Sequence, residues 1–214
     1  MKTPELVSML ATGNTRSAAH TPEKRFGLAL LSGLIGASVL LLLVYGIRGD
    51  MPELLMTPIF WIKLAFPLAI LTAAQGITAR LARPGAVVGL RRIALLAAPV
   101  LAIWLAGMIY LLLAPTSLRL ALVLGTTWQV CSLNIVLLSL PTFFSMLWAM
   151  RGLAPTRLAL AGSTIGLVAG AQGLMVYTLY CTEMAMPFWG IWYVIGMLLP
   201  TAIGALLGPR VLRW

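Results

Sequence analysis

Charge is what this chain has least of. Lys, Arg, Asp and Glu make up 9% of its 214 residues, and only five of those residues are acids. A soluble domain carries about a quarter charged residues, so a water-soluble globule is excluded. Catalytic groups are equally sparse. The single histidine, His20, lies in the polar N-terminal stretch, and no Ser/His/Asp set, H-E-x-x-H pattern or phosphate-cradling glycine loop accompanies it. The tail holds no cysteine for a zinc site with His20. The expectation is therefore a protein that is not an enzyme and has no cofactor.

What is present is long apolar sequence. At about 20 residues per crossing the chain has room for six spans and no separate soluble domain. They are expected near 26–47, 58–79, 93–114, 130–150, 158–180 and 188–207, giving an all-α, polytopic bundle of six transmembrane helices over residues 26–214. The fourth is ambiguous, because Leu118 to Met150 is too long for one straight span and is interrupted by Gly125, Thr126, Thr127 and Gln129. The favoured reading is a short interfacial helix from Thr116 to Leu124 followed by the crossing. The alternative is a span from Leu118 to Pro141.

Basic residues orient the bundle. With the N-terminus inside, 12 of the 15 Lys and Arg fall on cytoplasmic segments, leaving Arg48 and Arg119 outside and Lys63 within a span. Both termini are thus expected in the cytoplasm, and the net charge of +10 needs no direct contact with nucleic acid. The first apolar run is longer than a signal peptide core and follows a polar stretch, so it is expected to remain as an anchor.

Residues 1–25 form a cytoplasmic tail. Thr3, Pro4 and Glu5 are a cap, a first-turn proline and a first-turn acid, and they predict a helix over about 4–12. Leu6, Val7, Met9 and Leu10 give it an apolar face, and so short a helix needs a partner to be stable. A helix resting on the inner lipid surface is the competing reading. Residues 14–24 read as a tether.

Within the spans, Gly162, Gly166 and Gly170 form a bare ridge for close helix packing. Lys63 is the one charge inside a span. It is close enough to the outer end to snorkel, or to pair with Asp50, Glu53 or Glu183, with Glu183 the chief candidate. Cys131 opens the fourth span and Cys181 follows the fifth, so the parity of crossings brings both to the outer, oxidising face. They are expected to pair reversibly as a disulfide or to bind a soft metal ion together, Glu183 adding an oxygen ligand in the second case. Two unpaired apolar fillers remain the bland alternative. A thiol oxidase would require a second relay pair, which is lacking.

The N-terminal "MKTPELVSMLATG", the six spans, the placing of the cysteines and the stretch "YCTEMAMPFWGIWYVIGMLLPTAIGALLGPRVLRW" resemble the NrsF-type family of bacterial membrane anti-sigma factors. The resemblance covers the whole chain and is most specific at its C-terminal block. It implies a multi-pass inner-membrane protein whose cytoplasmic tail holds an extracytoplasmic-function sigma factor and whose periplasmic cysteines, Cys131 and Cys181, take part in stress signalling. Around Cys181 this chain reads Tyr180-Cys181-Thr182-Glu183, without the His and Pro expected in many relatives. That argues against a histidine-assisted metal response and leaves thiol chemistry in place. A small six-helix transporter or permease subunit is the alternative reading.

Overall fold

The computed structural model describes Pro4, Glu5, Ser8 and residues 21–46, 48–153 and 155–213. Pro4, Glu5 and Ser8 are helical and exposed. Leu6, Val7, Met9 and Leu10, the expected partner face of the tail, lie outside the described residues.

Helices and turns account for the described chain, with no strand among the described residues. In chain order they are α1 (Thr21–Val44), α2 (Met51–Leu55), α3 (Pro58–Leu81), α4 (Leu90–Leu113), α5 (Thr116–Leu124), α6 (Trp128–Arg151), α7 (Leu158–Tyr177) and α8 (Met186–Val211). Among the described residues, six stretches are long and apolar enough to cross a membrane. In the fourth stretch, Gly125 at φ +59° ends α5, and α6 restarts after it. Pro141 lies within α6 rather than ending it.

Boundaries follow local chemistry. Helix α1 stops at Val44, short of the expected Ile47, because Gly46 takes φ +75° and its N–H bonds back to the Leu41 carbonyl. A glycine in this left-handed conformation is a common helix stop. Helix α3 begins on Pro58, which has no N–H to leave unpaired in the first turn.

Helix α7 is the central strut. Of its most apolar window 72% is buried, against 11% for α4, which lies at the edge of the bundle. The glycine ridge explains why α7 can sit there. A Cβ at Gly162 would overlap the Gly204 carbonyl, and one at Gly166 would overlap the Pro200 carbonyl, so α7 and α8 meet backbone to backbone. On its other side, a Cβ at Gly173 would fall 2.7 Å from the Ser139 nitrogen of α6. Gln172 extends the contact to α1 by donating from Nε2 to the Leu30 carbonyl at 2.8 Å. Such packing replaces the hydrophobic drive that helices lack in lipid.

Candidate functional site

The connections 45–57, 114–127 and 178–185 share one end of the bundle, and both cysteines are there. Cys131 lies in the first turn of α6, its N–H bonded to the Thr127 carbonyl at 3.0 Å. Cys181 follows α7 in a turn that continues the helix, its N–H reaching the Tyr177 carbonyl at 3.0 Å. Both thiols are free and buried. Cys131, Cys181, Tyr177 and Tyr193 pack in one buried cluster, where the two thiols act on each other electrostatically and the Tyr193 hydroxyl has no hydrogen-bond partner among the described residues. That shared cluster gathers the two thiols at one end of the bundle.

Lys63 does not snorkel. Its side chain turns inward from the second turn of α3 to 0% exposure, and its Nζ donates to the Cys181 carbonyl at 2.6 Å. The Trp189 and Tyr193 ring centroids lie 6.0 and 5.9 Å from that nitrogen, within cation–π reach. The Cys181 carbonyl takes a second cationic donor, Arg48 Nη1, at 3.1 Å. Arg48 also binds Asp50, with Nε to Oδ1 at 2.8 Å. Its guanidinium holds the Asp50 carboxyl below the usual carboxylate range.

The expected Lys63–Glu183 ion pair is replaced by other partners for both residues. Glu183 Oε1 accepts from the backbone N–H of Thr126 at 2.7 Å and of Thr127 at 3.2 Å, and from both threonine hydroxyls. These donors precede α6, where unpaired N–H groups and the helix dipole favour a carboxylate. Gly125 makes room for it, since a Cβ there would lie 2.8 Å from the carboxylate and 2.7 Å from the Phe188 ring. Asp50 is likewise committed, to Arg48.

Helix α8 opens with one α turn and then widens into a π-helical turn, Trp189–Tyr193. Its carbonyls accept from neighbouring helices: Trp104 Nε1 of α4 bonds to Gly190 O at 2.6 Å, and Ser132 Oγ of α6 bonds to Trp192 O at 3.1 Å. The widened turn stacks Trp189 and Tyr193 at an interplanar angle of 13°, facing Lys63. Trp189 Nε1 donates back to the Glu183 carbonyl at 3.0 Å. Sequence reasoning singled out Cys131, Cys181, Lys63 and Glu183 but missed Arg48, Tyr177, Trp189 and Tyr193. The aromatic run next to Cys181 was their only visible signal.

Among the described residues, no three His, Cys, Asp or Glu side chains converge. Two thiols with a nearby carboxylate already engaged suit redox pairing or two-coordinate binding of a soft ion better than a multidentate site. At the opposite end, Arg80, Arg83 and Arg92 line an open cleft of about 470 Å³ with Gly76, Ala79, Pro84, Gly85 and Ala86, and no carboxylate lines it. Arg80 Nε donates to Val87 O at 2.9 Å, and Arg92 to Gly76 O.

Six helices among the described residues that are long and apolar enough to cross a membrane place the chain in the class of polytopic helical membrane proteins. The family described as negative regulator of sigma F (NrsF) matches residues 10–214, and the chain belongs to it. It is 41% identical over 214 residues to the probable anti-sigma-F factor NrsF of Azospira oryzae, covering the whole of both chains. It is 35% identical over 218 positions to the anti-sigma-F factor NrsF of Caulobacter vibrioides, again over both full lengths. No solved structure matches. The chain is thus a negative regulator of a sigma factor, a regulatory role rather than an enzymatic one.

Proposed function

We propose that this protein is an inner-membrane anti-sigma factor with both termini in the cytoplasm. It holds an extracytoplasmic-function sigma factor by its N-terminal segment and releases it when a periplasmic oxidant or heavy metal acts on Cys131 and Cys181. The relatives carry sigma F in their names, which suggests the partner. One observation carries the sensing half of this reading. The loop bearing Cys181 ties together the 45–50 turn through Arg48, α3 through Lys63, the start of α6 through Glu183 and the π turn through Trp189. A change at its sulfur therefore reaches four elements at once.

Capture falls to the tail and the arginine-rich end. Burying Leu6, Met9 and Leu10 on a partner contributes about 1.5–3 kcal/mol each, less the cost of ordering the tether. The cleft of Arg80, Arg83 and Arg92 offers a second, electrostatic contact, and two weak contacts on one anchored molecule reinforce each other through effective concentration.

The test is Leu6→Asp with Leu10→Asp. The target genes should become constitutively active while the protein still inserts. A doubly substituted protein that inserts and still silences them overturns capture by the tail. Orientation is tested with single thiols at Gly49 and Gly89 in a cysteine-free chain; both are exposed, with open space around a Cβ. An impermeant reagent should label only position 49 from outside, and labelling of 89 instead overturns the topology.

A further inference from the structure

Lys63 is fully buried and forms no salt bridge among the described residues. Among the described residues the ion pair at this end joins Arg48 to Asp50, while the Glu183 carboxylate is spent on Thr126 and Thr127. A carbonyl dipole and two ring faces offset part of the cost of burying an ammonium, but they do not supply an opposite charge. A buried cation held this way points to an anion beside it; of the charged and ionisable groups around it Cys181 acts on it most strongly, ahead of Arg48, Cys131 and the Glu183 carboxylate.

We propose that Lys63 is the counter-charge of the Cys181 thiolate, so that Cys181 is the attacking thiol of the pair and Cys131 the resolving one. This rests on the thiol-sensing reading above and adds an order of events to it.

The arrangement around the two sulfurs is unequal. Cys181 faces the Cys131 thiol from α6, the Lys63 ammonium from α3, the Tyr193 hydroxyl from the π turn and the backbone N–H of Glu183 on its own loop. Tyr177 of α7 faces Cys131. Arg48 is nearby, but its charge is already matched by Asp50. The Cys131 thiol first and the Lys63 charge next are the causes that lower the Cys181 thiol below its ordinary value. Lys63 bonds the Cys181 residue directly, and no cation bonds Cys131 among the described residues, so Cys131 is assigned as the protonated partner.

With a hydroperoxide as the two-electron oxidant, the Cys181 thiolate sulfur attacks the terminal peroxide oxygen. The O–O bond breaks, the alkoxide leaves, and Cys181 becomes a sulfenic acid. The Cys131 sulfur then displaces the hydroxyl, its thiol proton leaving with that hydroxyl as water, and the S–S bond forms. Two thiols lose two electrons and the peroxide gains them.

The test uses the full-length chain in detergent micelles and a small uncharged alkylating reagent, iodoacetamide, read across pH 5 to 10. Cys131→Ser leaves Cys181 as the single thiol and keeps a hydroxyl donor beside it; Cys181→Ser leaves Cys131. The Cys181 rate should titrate below the range of an ordinary thiol, and the Cys131 rate at a higher pH than Cys181. Lys63→Gln keeps a donor for the Cys181 carbonyl and removes only the charge. It should move the Cys181 midpoint upward by about one unit or more and slow its alkylation at pH 6 by about tenfold. Lys63→Arg should restore the low midpoint. An unmoved midpoint in folded Lys63→Gln overturns the pairing. So does a lower midpoint for Cys131 than for Cys181, a comparison that needs no substitution at Lys63. If the midpoint moves as expected while cells carrying Cys181→Ser still induce the target genes with oxidant, the charge pairing holds and the sensing reading fails.

Discussion

The two ends of the bundle are built on opposite plans. At the cysteine end, side chains from one element close the backbone of another: Arg48 and Lys63 on the Cys181 carbonyl, Glu183 on the turn before α6, Trp104 on Gly190, Trp192 on the Val123 carbonyl. At the other end arginines reach helix-end or loop carbonyls, as Arg151 does to Val211 O at 2.9 Å, and they line an open basic cleft. The first plan makes a local change hard to absorb, because several of these bonds converge on the one loop that carries Cys181 and Glu183. The second leaves positive charge presented outward. The proposed function, a signal received at one end and a sigma factor held at the other, would use this division, with α7 and its glycine ridge as the connection between them.

The comparison breaks most severely at that connection. Gly166→Val should cost about 3 kcal/mol or more, since the added atoms meet the Pro200 backbone and no flexible side chain can yield. Thermal unfolding in detergent reads the loss, and both ends should become protease-sensitive together. Gly27→Ala, with open space around the new Cβ, is the near-neutral control. Loosening of one end alone would mean that α7 does not link them.

Next in size is Glu183→Ala, which strips the acceptor from the Thr126 and Thr127 amides. A loss of about 1–3 kcal/mol is expected, with faster hydrogen exchange at those amides and none at the arginine end. Glu183→Gln keeps an acceptor and should lose less.

Arg83→Glu sharpens the contrast from the other side. Arg83 lies in the basic cleft and is exposed, so the thermal midpoint should stay unchanged. Association with the sigma factor should slow and lose part of its salt dependence. An unaffected association rate would remove the cleft from the capture surface.

The smallest effect expected is at Asp50. Its carboxyl is held below the ordinary range by Arg48, so the stabilisation is present above the unfolded value, about 3.9, and is lost as pH falls through the depressed folded value. The Asp50 carboxyl is solvent-exposed, so the effect should show only at low salt, as a slightly steeper fall of thermal midpoint below pH 4 that Asp50→Asn abolishes.

Much of the architecture was legible in the residues. Hydropathy and length mark six crossings, and the run Gly125, Thr126, Thr127 marks the break between α5 and α6, because a glycine at positive φ and two threonines are poor continuations of an apolar helix. Parity of crossings brings Cys131 and Cys181 to one end, where they lie side by side. The partners of Lys63 and Glu183 were not legible. Charge complementarity alone joins these two residues, yet the unpaired N–H groups ahead of α6 claim the carboxylate, and the rotation of α3 turns the ammonium inward.

Membrane class, number of crossings and the shared end of the cysteines follow from the sequence by itself, because they depend on composition and on counting along the chain. What the Cys181 loop is fastened to, and the inward burial of Lys63 against Trp189 and Tyr193, were decided only by tertiary structure. Those contacts depend on how each helix is rotated about its axis and on one widened turn in α8, neither of which leaves a periodic trace in a sequence that is apolar on every side.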